Sequence, residues 1–418
     1  MSLEQKLNYL LNAHPKIKKV IKRVYQRIFY TFSKKIKYVG DIKRVSPNDD
    51  KEYFFGYYDK SPWDITGRYM LCMRANNTTK DVSPKEPLEI ILIDTKNDNG
   101  WKKIADSRSW NVQMGCMAQW LGPDYDKQII FNDFRNEKYC SVILNVFTGE
   151  ERVIDAPIYS VSNDGRLALS LDFSRLYNLR PGYGYYNVPE TTKGKCLPEE
   201  TCIWTIDIIN NIVSPLLKYT DFANFKPRND MKDVNAVHKV NHLMISPNGK
   251  RFMVLYRWFV GEKKYTRLIT CNVDGTDMFL LNDNNMASHC FWKNDFEIIA
   301  FENNEDGPGY YLMRDKTNEL KHLIKKYNND GHPSYSFNKK YIVTDSYPDK
   351  RRMQNIKIFN DTDDNIEIIA QVFSPFKYDN DTRCDLHPRW SRDNKFICFD
   401  GCFEGKRALY VLEVNKND

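Results

Sequence analysis

Two hydrophobic patterns divide the chain. Near the N-terminus, apolar side chains recur every three or four residues, at Ile17, Val20, Ile21, Val24, Ile28, Phe32 and Ile36. This is the spacing of an amphipathic α-helix, and Pro15 suits its first turn. From about residue 39 onward, short runs of β-branched and aromatic residues follow polar turns, as they do in β-strands. The sequence therefore predicts a helical arm over residues 1–38 and a β-rich body over residues 39–418.

One phrase recurs through the body: a polar turn with Gly, Asn or Asp, followed by an apolar strand. Its seven copies begin at Trp63, Trp120, Tyr159, Ile245, Trp292, Tyr335 and Trp390. Each copy indicates an inner strand, a tight turn and a second strand, and further strands complete the unit. Uniform repetition of such units is typical of a β-propeller, so we predict an all-β fold with seven blades. The last blade has three obvious strands, and we expect residues 41–46 to supply its fourth and close the ring.

Composition agrees with a large β-rich core, since 41% of the residues are hydrophobic and 14% are aromatic. The ten cysteines form no C-x-x-C pair and mostly lie inside apolar strands, as buried free thiols do. No apolar run is long enough to span a membrane, and the N-terminus lacks the apolar segment of a signal peptide. These features predict a cytoplasmic protein.

The positive charge is concentrated in the arm. Residues 1–38 hold ten Lys or Arg against one acid, Glu4, a net +9, so the body carries −2 of the total +7. A near-neutral body argues against nucleic-acid binding. Two interpretations of the arm stay open. Residues 15–37 could lie in the plane of an anionic membrane, at its inner face, or the apolar stripe could pack on the propeller.

Four histidines share one position of the repeat. His242, His332 and His387 each stand four residues before a serine, and His289 takes the same place in its own copy. Because the inner strand of every blade lines the propeller axis, equivalent positions form a ring around one end of the channel. Neutral imidazoles that meet in this way suit a divalent cation. We predict a metal site there, with His238 as a nearby base or supporting residue.

Other polar residues are expected around this ring. Asp59 and Lys60 occupy the corresponding place in the first blade, and arginines near the ends of second strands could clamp a carboxylate. A Tyr- and Gly-rich insertion over residues 173–200 is interpreted as a sugar-stacking loop or lid, although a purely structural insertion is equally compatible. The candidate substrate-binding or catalytic residues outside the histidines are Asp59, Lys60, Arg175, Arg180, Tyr183, Tyr185 and Arg257.

The turn phrase resembles TolB-type propeller repeats. Together with the histidines, it is similar to the seven-bladed oligogalacturonate lyases and their relatives in bacterial polysaccharide gene clusters. The resemblance covers residues 39–418 and implies an acidic oligo- or polysaccharide as substrate. It also implies a divalent metal (Mn, Zn or Ca) and β-elimination at a uronic acid.

The same resemblance implies site roles. His289, His332 and His387 would be metal ligands, and His242 a fourth ligand or the base. The resembling lyases use three histidines and a glutamine, but no glutamine adjoins His332 or His387 here, so His242 or a water would replace it. Lys60 or His238 are alternative bases, and Arg257 or Arg175 would orient the acidic sugar.

Several enzyme classes lack their motifs in this chain. There is no Gly-x-Ser-x-Gly elbow, phosphate-binding loop or dinucleotide fingerprint. Beside the lyase hypothesis, two alternatives stay open: a non-catalytic propeller scaffold, and a transferase of cell-surface polysaccharide assembly.

Overall fold

The N-terminal arm leads into the propeller through one helix and two short strands. The computed structural model describes residues 15–33, 36–80 and 86–414, so residues 1–14, 34 and 35 of the predicted arm lie outside the described residues. Helix α1 spans Pro15–Phe32, and strands β1 (Tyr38–Val39) and β2 (Ile42–Arg44) follow. No helix within the described ranges is both long enough and apolar enough to cross a membrane.

The body is a ring of seven antiparallel sheets, which confirms the predicted seven-bladed propeller. In blades one to five the strands run in chain order from the axis outward. Blade one contains β3 (Glu52–Phe54), β4 (Tyr69–Ala75), β5 (Leu88–Asp94) and β6 (Gly100–Ser107). Blade two contains β7 (Gln119–Trp120), β8 (Gln128–Arg135), β9 (Lys138–Asn145) and β10 (Glu151–Ile154). Blade three contains β11 (Ser160–Val161), β12 (Leu167–Leu171), β13 (Thr201–Asp207) and β14 (Ile212–Lys218).

The remaining four blades carry the predicted histidines. Blade four contains β15 (Val237–Ile245), β16 (Arg251–Val260), β17 (Lys263–Asn272) and β18 (Phe279–Asn282). Blade five contains β19 (Ala287–Trp292), β20 (Glu297–Asn304), β21 (Gly307–Arg314) and β22 (Leu320–Leu323). Blade six contains β23 (Ser334–Tyr335), β24 (Ile342–Asp345), β25 (Met353–Phe359) and β26 (Ile366–Phe373). Blade seven contains β27 (Arg389–Trp390), β28 (Phe396–Gly401) and β29 (Ala408–Glu413).

The N-terminal strands pair with the last two blades. Strand β2 pairs with β29 and becomes the outer strand of blade seven, so the start and end of the propeller share one sheet. Strand β1 pairs with β26 and adds a fifth strand to blade six. Short helices α2 (Phe173–Leu179) and α3 (Tyr219–Asn224) lie in the connections of blades three and four.

The repeated phrase folds as it does because a serine hydroxyl bridges the turn. Ser246 Oγ contacts Asn248 Oδ1 at 2.9 Å and accepts the backbone N–H of Arg251 at 3.0 Å. Ser336 and Ser391 make the same pair of contacts in blades six and seven. A side chain that satisfies backbone groups locally favours the turn over other conformations.

Tryptophans of the phrase join neighbouring blades. Trp292 Nε1 donates to the Met244 carbonyl at 2.9 Å, and Trp390 Nε1 donates to the Ser334 carbonyl at 3.2 Å. Each indole is buried, so it contributes apolar area and satisfies its one polar atom at the same time.

At one end of the ring, aspartates of the second strands hold the inner strand of the next blade. Asp345, the last residue of β24, accepts the backbone N–H of His387 at 3.1 Å. Asp400 in β28 accepts the N–H groups of Phe55 at 3.0 Å and Gly56 at 3.2 Å. This end of the propeller also carries the four repeat histidines.

Candidate functional site

The four repeat histidines converge around the ring of Tyr58. The centroid of Tyr58 lies 5.9 Å from those of His242 and His289, 5.3 Å from His332 and 6.3 Å from His387. His242 and His289 lie in β-bulges of β15 and β19, while His332 and His387 stand two residues before the starts of β23 and β27. Bulges and strand starts redirect side chains out of the regular alternation, which turns these imidazoles toward the axis.

Three of the histidines form a compact cluster with a carboxylate. The ring centroids of His289 and His332 are 4.0 Å apart, and those of His332 and His387 are 4.3 Å apart. One ligand atom from each of His332, Asp385 and His387 lies within 4.8 Å of the others. The Nε2 atoms of His332 and His387 are buried and have no hydrogen-bond partner among the described residues. Orphaned buried nitrogens beside a carboxylate fit a divalent metal ion.

Carboxylates bound at Nδ1 orient two of these rings, those of His332 and His289. Asp345 contacts His332 Nδ1 at 2.8 Å and 2.9 Å, and Asp330 contacts His289 Nδ1 at 3.2 Å. Burial alone would lower the pKa of His332, but the Asp345 charge outweighs it, so that pKa is raised. Burial and the charge of His332 lower the pKa values of His289 and His387. Carboxylates behind histidines in this way are typical of metal sites.

His242 has a different environment. Its Nδ1 contacts the Tyr57 hydroxyl at 2.9 Å, and its Nε2 lies 3.1 Å from the Cys290 carbonyl and 3.2 Å from the Tyr58 hydroxyl. Burial and the charge of His289 lower its pKa to about 3. Neutral His242 therefore donates from Nε2 to a carbonyl and accepts at Nδ1, which leaves neither nitrogen for a metal in this arrangement.

A basic cavity adjoins the cluster. It has a volume of about 130 Å³, and the described residues that line it include three cationic side chains and one carboxylate. The lining residues are Tyr57, Arg180, Tyr183, Asn241, His242, Leu255, Arg257, Lys264, Ser288, His289, Asp330 and Tyr347. An excess of positive charge next to imidazoles suits an anionic ligand.

The cations of this cavity perturb one another. Burial and the charge of Arg180 lower the pKa of Arg257 to about 10, and Arg257 Nε has no partner among the described residues. The charge of Arg257 lowers the pKa of Lys264, an exposed residue at the wall of the cavity, to about 7. The Arg180 guanidinium lies 4.2 Å from the ring centroid of Tyr183. The cavity thus contains a guanidinium whose Nε has no partner among the described residues, and a lysine with a pKa near neutrality.

Asp59 and Lys60 lie in a different compartment. They form an ion pair and line the axial channel, which has a volume of about 250 Å³ and is lined by residues of six inner strands and of the segment that follows β3. Tyr58 lines this channel as well, whereas Tyr57 faces the basic cavity. The sequence expectation placed Asp59 and Lys60 beside the histidines, but the tyrosine pair stands between the two compartments.

Three further predicted residues have their polar groups engaged elsewhere. All of the guanidinium nitrogens of Arg175 donate within the protein, to Glu190 at 2.8 Å and to backbone carbonyls that include His238 at 2.8 Å. His238 stacks on Tyr256, 2.5 Å from its hydroxyl, on a part of β15 about 13 Å from His242. Tyr185 is fully buried and stacks on Phe173. None of the three is among the described residues that line the cavity. Arg175 and Tyr185 belong to the insertion of blade three, and all three side chains are buried.

The structure adds site residues that the sequence reasoning did not select. Asp330 and Asp385 each stand two residues before a repeat histidine, so Asp-x-His recurs in blades six and seven. That second repeat was the signal available for both. Lys264 had no such signal, since its position in the cavity depends on the β16–β17 hairpin and on the charge of Arg257.

Comparison with known proteins bears on the fold. No protein-family model and no curated protein matches this chain. Among solved structures, an oligogalacturonate lyase from Vibrio parahaemolyticus superposes with a TM-score of 0.62 at 12% identity, covering 91% of this chain and 96% of the lyase. An oligogalacturonate lyase in complex with manganese gives a TM-score of 0.63 at 16% identity, covering 92% and 98%. This chain shares the fold of the oligogalacturonate lyases.

The likeness extends to another propeller. The β-propeller domain of the Trilobed protease from Pyrococcus furiosus gives a TM-score of 0.51 at 12% identity, covering 87% of this chain and 95% of the domain. The resemblance predicted from the repeat is therefore confirmed at the level of the fold. At these identities the function has to be argued from the side chains of the site.

Proposed function

We propose that this protein is a carbohydrate-active enzyme that cleaves an acidic oligo- or polysaccharide at a uronic acid by metal-assisted β-elimination. The observation that carries the proposal is the pairing of two features at one end of the propeller. A buried cluster of His332, His387 and Asp385, with His289 beside His332, adjoins a cavity whose wall contains Arg180, Arg257 and Lys264. The first suits a divalent cation and the second suits a carboxylate.

The proposed metal ligands are His332, His387 and His289, with Asp385 as a fourth that would share its carboxylate between the metal and Arg383. The carboxylates of Asp345 and Asp330 engage Nδ1 of His332 and His289, so Nε2 is the nitrogen that each ring would offer. When bound, a divalent cation would neutralise the uronate carboxylate and acidify the adjacent carbon-bound proton. The manganese complex of the oligogalacturonate lyase makes Mn²⁺ the first candidate, ahead of Zn²⁺ and Ca²⁺.

The residues of the cavity would bind the sugar acid and move its proton. Arg257 Nε has no partner among the described residues. A carboxylate oxygen of the substrate would be a suitable acceptor for this N–H group. With a pKa of about 7, Lys264 is partly unprotonated at neutral pH, which suits Nζ to take the proton next to the carboxylate. Tyr183 has a buried hydroxyl without a partner in the described structure and would contact a sugar hydroxyl.

His242 would position rather than bind metal. It links Tyr57 and Tyr58 to the Cys290 carbonyl, and these two tyrosines separate the basic cavity from the axial channel. A closed wall at this point would exclude water from the reacting end of the cavity. Lys60 and His238 are less suited to act as bases, because Lys60 pairs with Asp59 and His238 contacts Tyr256.

Metal analysis of the purified protein tests the first half of the proposal. We expect about one divalent ion per chain in the wild type and its loss in His332→Ala and His387→Ala. His322→Ala is the matched control, since His322 packs on Tyr311 in the outer part of blade five. Absence of stoichiometric metal in the wild type, after growth with added manganese and zinc, would contradict the proposed centre.

Ultraviolet absorbance tests the second half. Elimination creates an unsaturated sugar that absorbs in the ultraviolet, whereas hydrolysis and transfer create none. Oligogalacturonate is the first probe, and other uronate polymers follow. Binding of these sugars without new absorbance or chain cleavage would favour the scaffold alternative, and growth or exchange of the chains would favour a transferase.

A further inference from the structure

Helix α1 docks on blade six through its polar and aromatic side. Arg23 pairs with Asp379 at 2.9 Å and donates to the Phe376 carbonyl at 2.9 Å. Gln26 is buried and donates to the Asp349 carbonyl at 2.9 Å, and Tyr30 stacks on Phe373 with centroids 5.1 Å apart. Residues 23, 26 and 30 share one face of a helix, so this face is the anchor.

The apolar stripe of the same helix faces away from the propeller. Against the described chain, Val20 is 63% exposed, Val24 and Ile28 are each 52% exposed, and Phe32 is 86% exposed. These positions are four residues apart and form one row. Neither interpretation of the arm anticipated this combination, in which the helix packs on the propeller and still presents its apolar stripe outward.

We propose that α1 is a docking helix that holds the propeller on an anionic membrane surface, with its apolar row among the lipid chains. Basic residues surround the row, and the arm carries a net +9. A helix with an apolar face and a strongly basic flank binds in the plane of a membrane and is attracted by anionic headgroups. A second copy of the chain would bring one +9 arm against another, so charge disfavours self-association as the cover for this row.

The contacts of α1 also set which end of the propeller meets the membrane. The helix binds Asp349, in the connection from β24 to β25, and Phe376 and Asp379, which follow β26. Strand β24 ends at Asp345, the partner of His332, so these connections lie at the end that carries the histidine cluster. Docking would therefore place the candidate site beside the membrane, where a membrane-attached acidic glycan would reach it.

Vesicle sedimentation of the full chain tests the docking. We expect binding to vesicles of about 70% phosphatidylcholine and about 30% phosphatidylglycerol, little binding to pure phosphatidylcholine, and weakening in about 0.5 M NaCl. The double variant Val24→Gln/Ile28→Gln keeps the charge and the anchoring face, and we expect it to bind about tenfold less or weaker. Ile212→Gln/Phe296→Gln removes two exposed apolar residues at the opposite end of the propeller and should bind as the wild type does.

Three results would overturn the proposal. The first is equal binding by wild type and Val24→Gln/Ile28→Gln. The second is a concentration-dependent dimer in light scattering that this variant abolishes, which would make a second copy the cover. The third is vesicle binding that appears only after deletion of residues 2–14, whose Leu3, Leu7, Leu10 and Leu11 would then be the cover.

Hydrogen exchange on vesicles tests the orientation. We expect protection of residues 20–33 and of the connection 346–352, with no change in the turn 391–395 at the other end. Protection of that turn instead would contradict the proposed orientation. Both measurements concern lipid contact, so they can succeed or fail independently of the proposed lyase activity.

Discussion

Asp345 holds His332 at two points: its carboxylate accepts the backbone N–H of His332 at 2.9 Å and contacts Nδ1 of the same residue at 2.8 Å. The carboxylate therefore fixes both the start of the inner strand and the rotation of the imidazole. Because Nδ1 donates to Asp345, the lone pair of Nε2 is directed at the cluster of His289, His387 and Asp385.

Asp345→Asn should weaken metal binding. The amide can still accept the backbone N–H, but it lacks the charge that selects the tautomer of His332, so we expect about 10- to 100-fold lower affinity. Titration calorimetry with Mn²⁺ or Zn²⁺ measures this. Asp315→Asn is the matched control, because Asp315 is also buried and pairs with Arg251 in the outer part of the propeller. Equal affinities in wild type and Asp345→Asn would show that Asp345 has no role in the centre.

Lys264 should set the acid side of the pH–rate profile. A base acts in its unprotonated form, so activity on a uronate oligomer should rise with pH as Lys264 loses its proton near its pKa of about 7. Lys264→Met should lower kcat by about 10²- to 10⁴-fold. Lys263→Met is the control, since Lys263 is the adjacent residue of β17 and is not among the described residues that line the cavity. If the acid limb persists unchanged in the residual activity of Lys264→Met, the base is another group.

The fold was predictable because its repeat is enforced locally. In the copies that carry it, the serine bridges the turn by hydrogen bonds, and the tryptophan of the phrase donates to the neighbouring blade, so both leave a mark at fixed spacing in the sequence. The convergence of the four histidines follows from the same register. The repeat register does not predict the bulges of β15 and β19, because these bulges arise where each inner strand pairs with the second strand of its blade.

The chemistry around the ring was less predictable because it depends on contacts between distant segments. Tyr57 and Tyr58 precede the repeat phrase of blade one, yet they decide that Lys60 faces the channel rather than the cavity. Arg175 had the right residue type for a substrate clamp, but the insertion of blade three uses all of its donors. Periodicity likewise identified the apolar stripe of α1 without indicating which face binds blade six.

Arg175→Met should destabilise the protein rather than change substrate affinity alone. Arg175 is buried and pairs with Glu190, so its loss leaves a carboxylate and several carbonyls without their donor. Breaking a buried ion pair from one side costs about 3–5 kcal/mol. Denaturant unfolding measures the change, and Arg166→Met, at an exposed position, is the control. A variant of wild-type stability would free Arg175 for the substrate role predicted from the sequence.

Glu302→Gln should stabilise the protein at alkaline pH. Burial raises the pKa of Glu302 to about 8, from 4.5 for a free glutamate, and its Oε2 has no partner in the described structure. Between these two values the folded chain binds a proton that the unfolded chain does not, so the stability contribution of Glu302 is lost as pH rises toward and through 8. Glutamine carries no charge at any of these pH values.

We expect Glu302→Gln to be more stable than wild type at pH about 9 by at least about 1.4 kcal/mol, the free energy of one pKa unit. The gain should vanish near pH 4, below the value for a free glutamate, while exposed Glu305→Gln should match the wild type at both values. Denaturant unfolding at the two pH values measures it, and parallel pH dependence in wild type and Glu302→Gln would show that Glu302 is not the group that titrates.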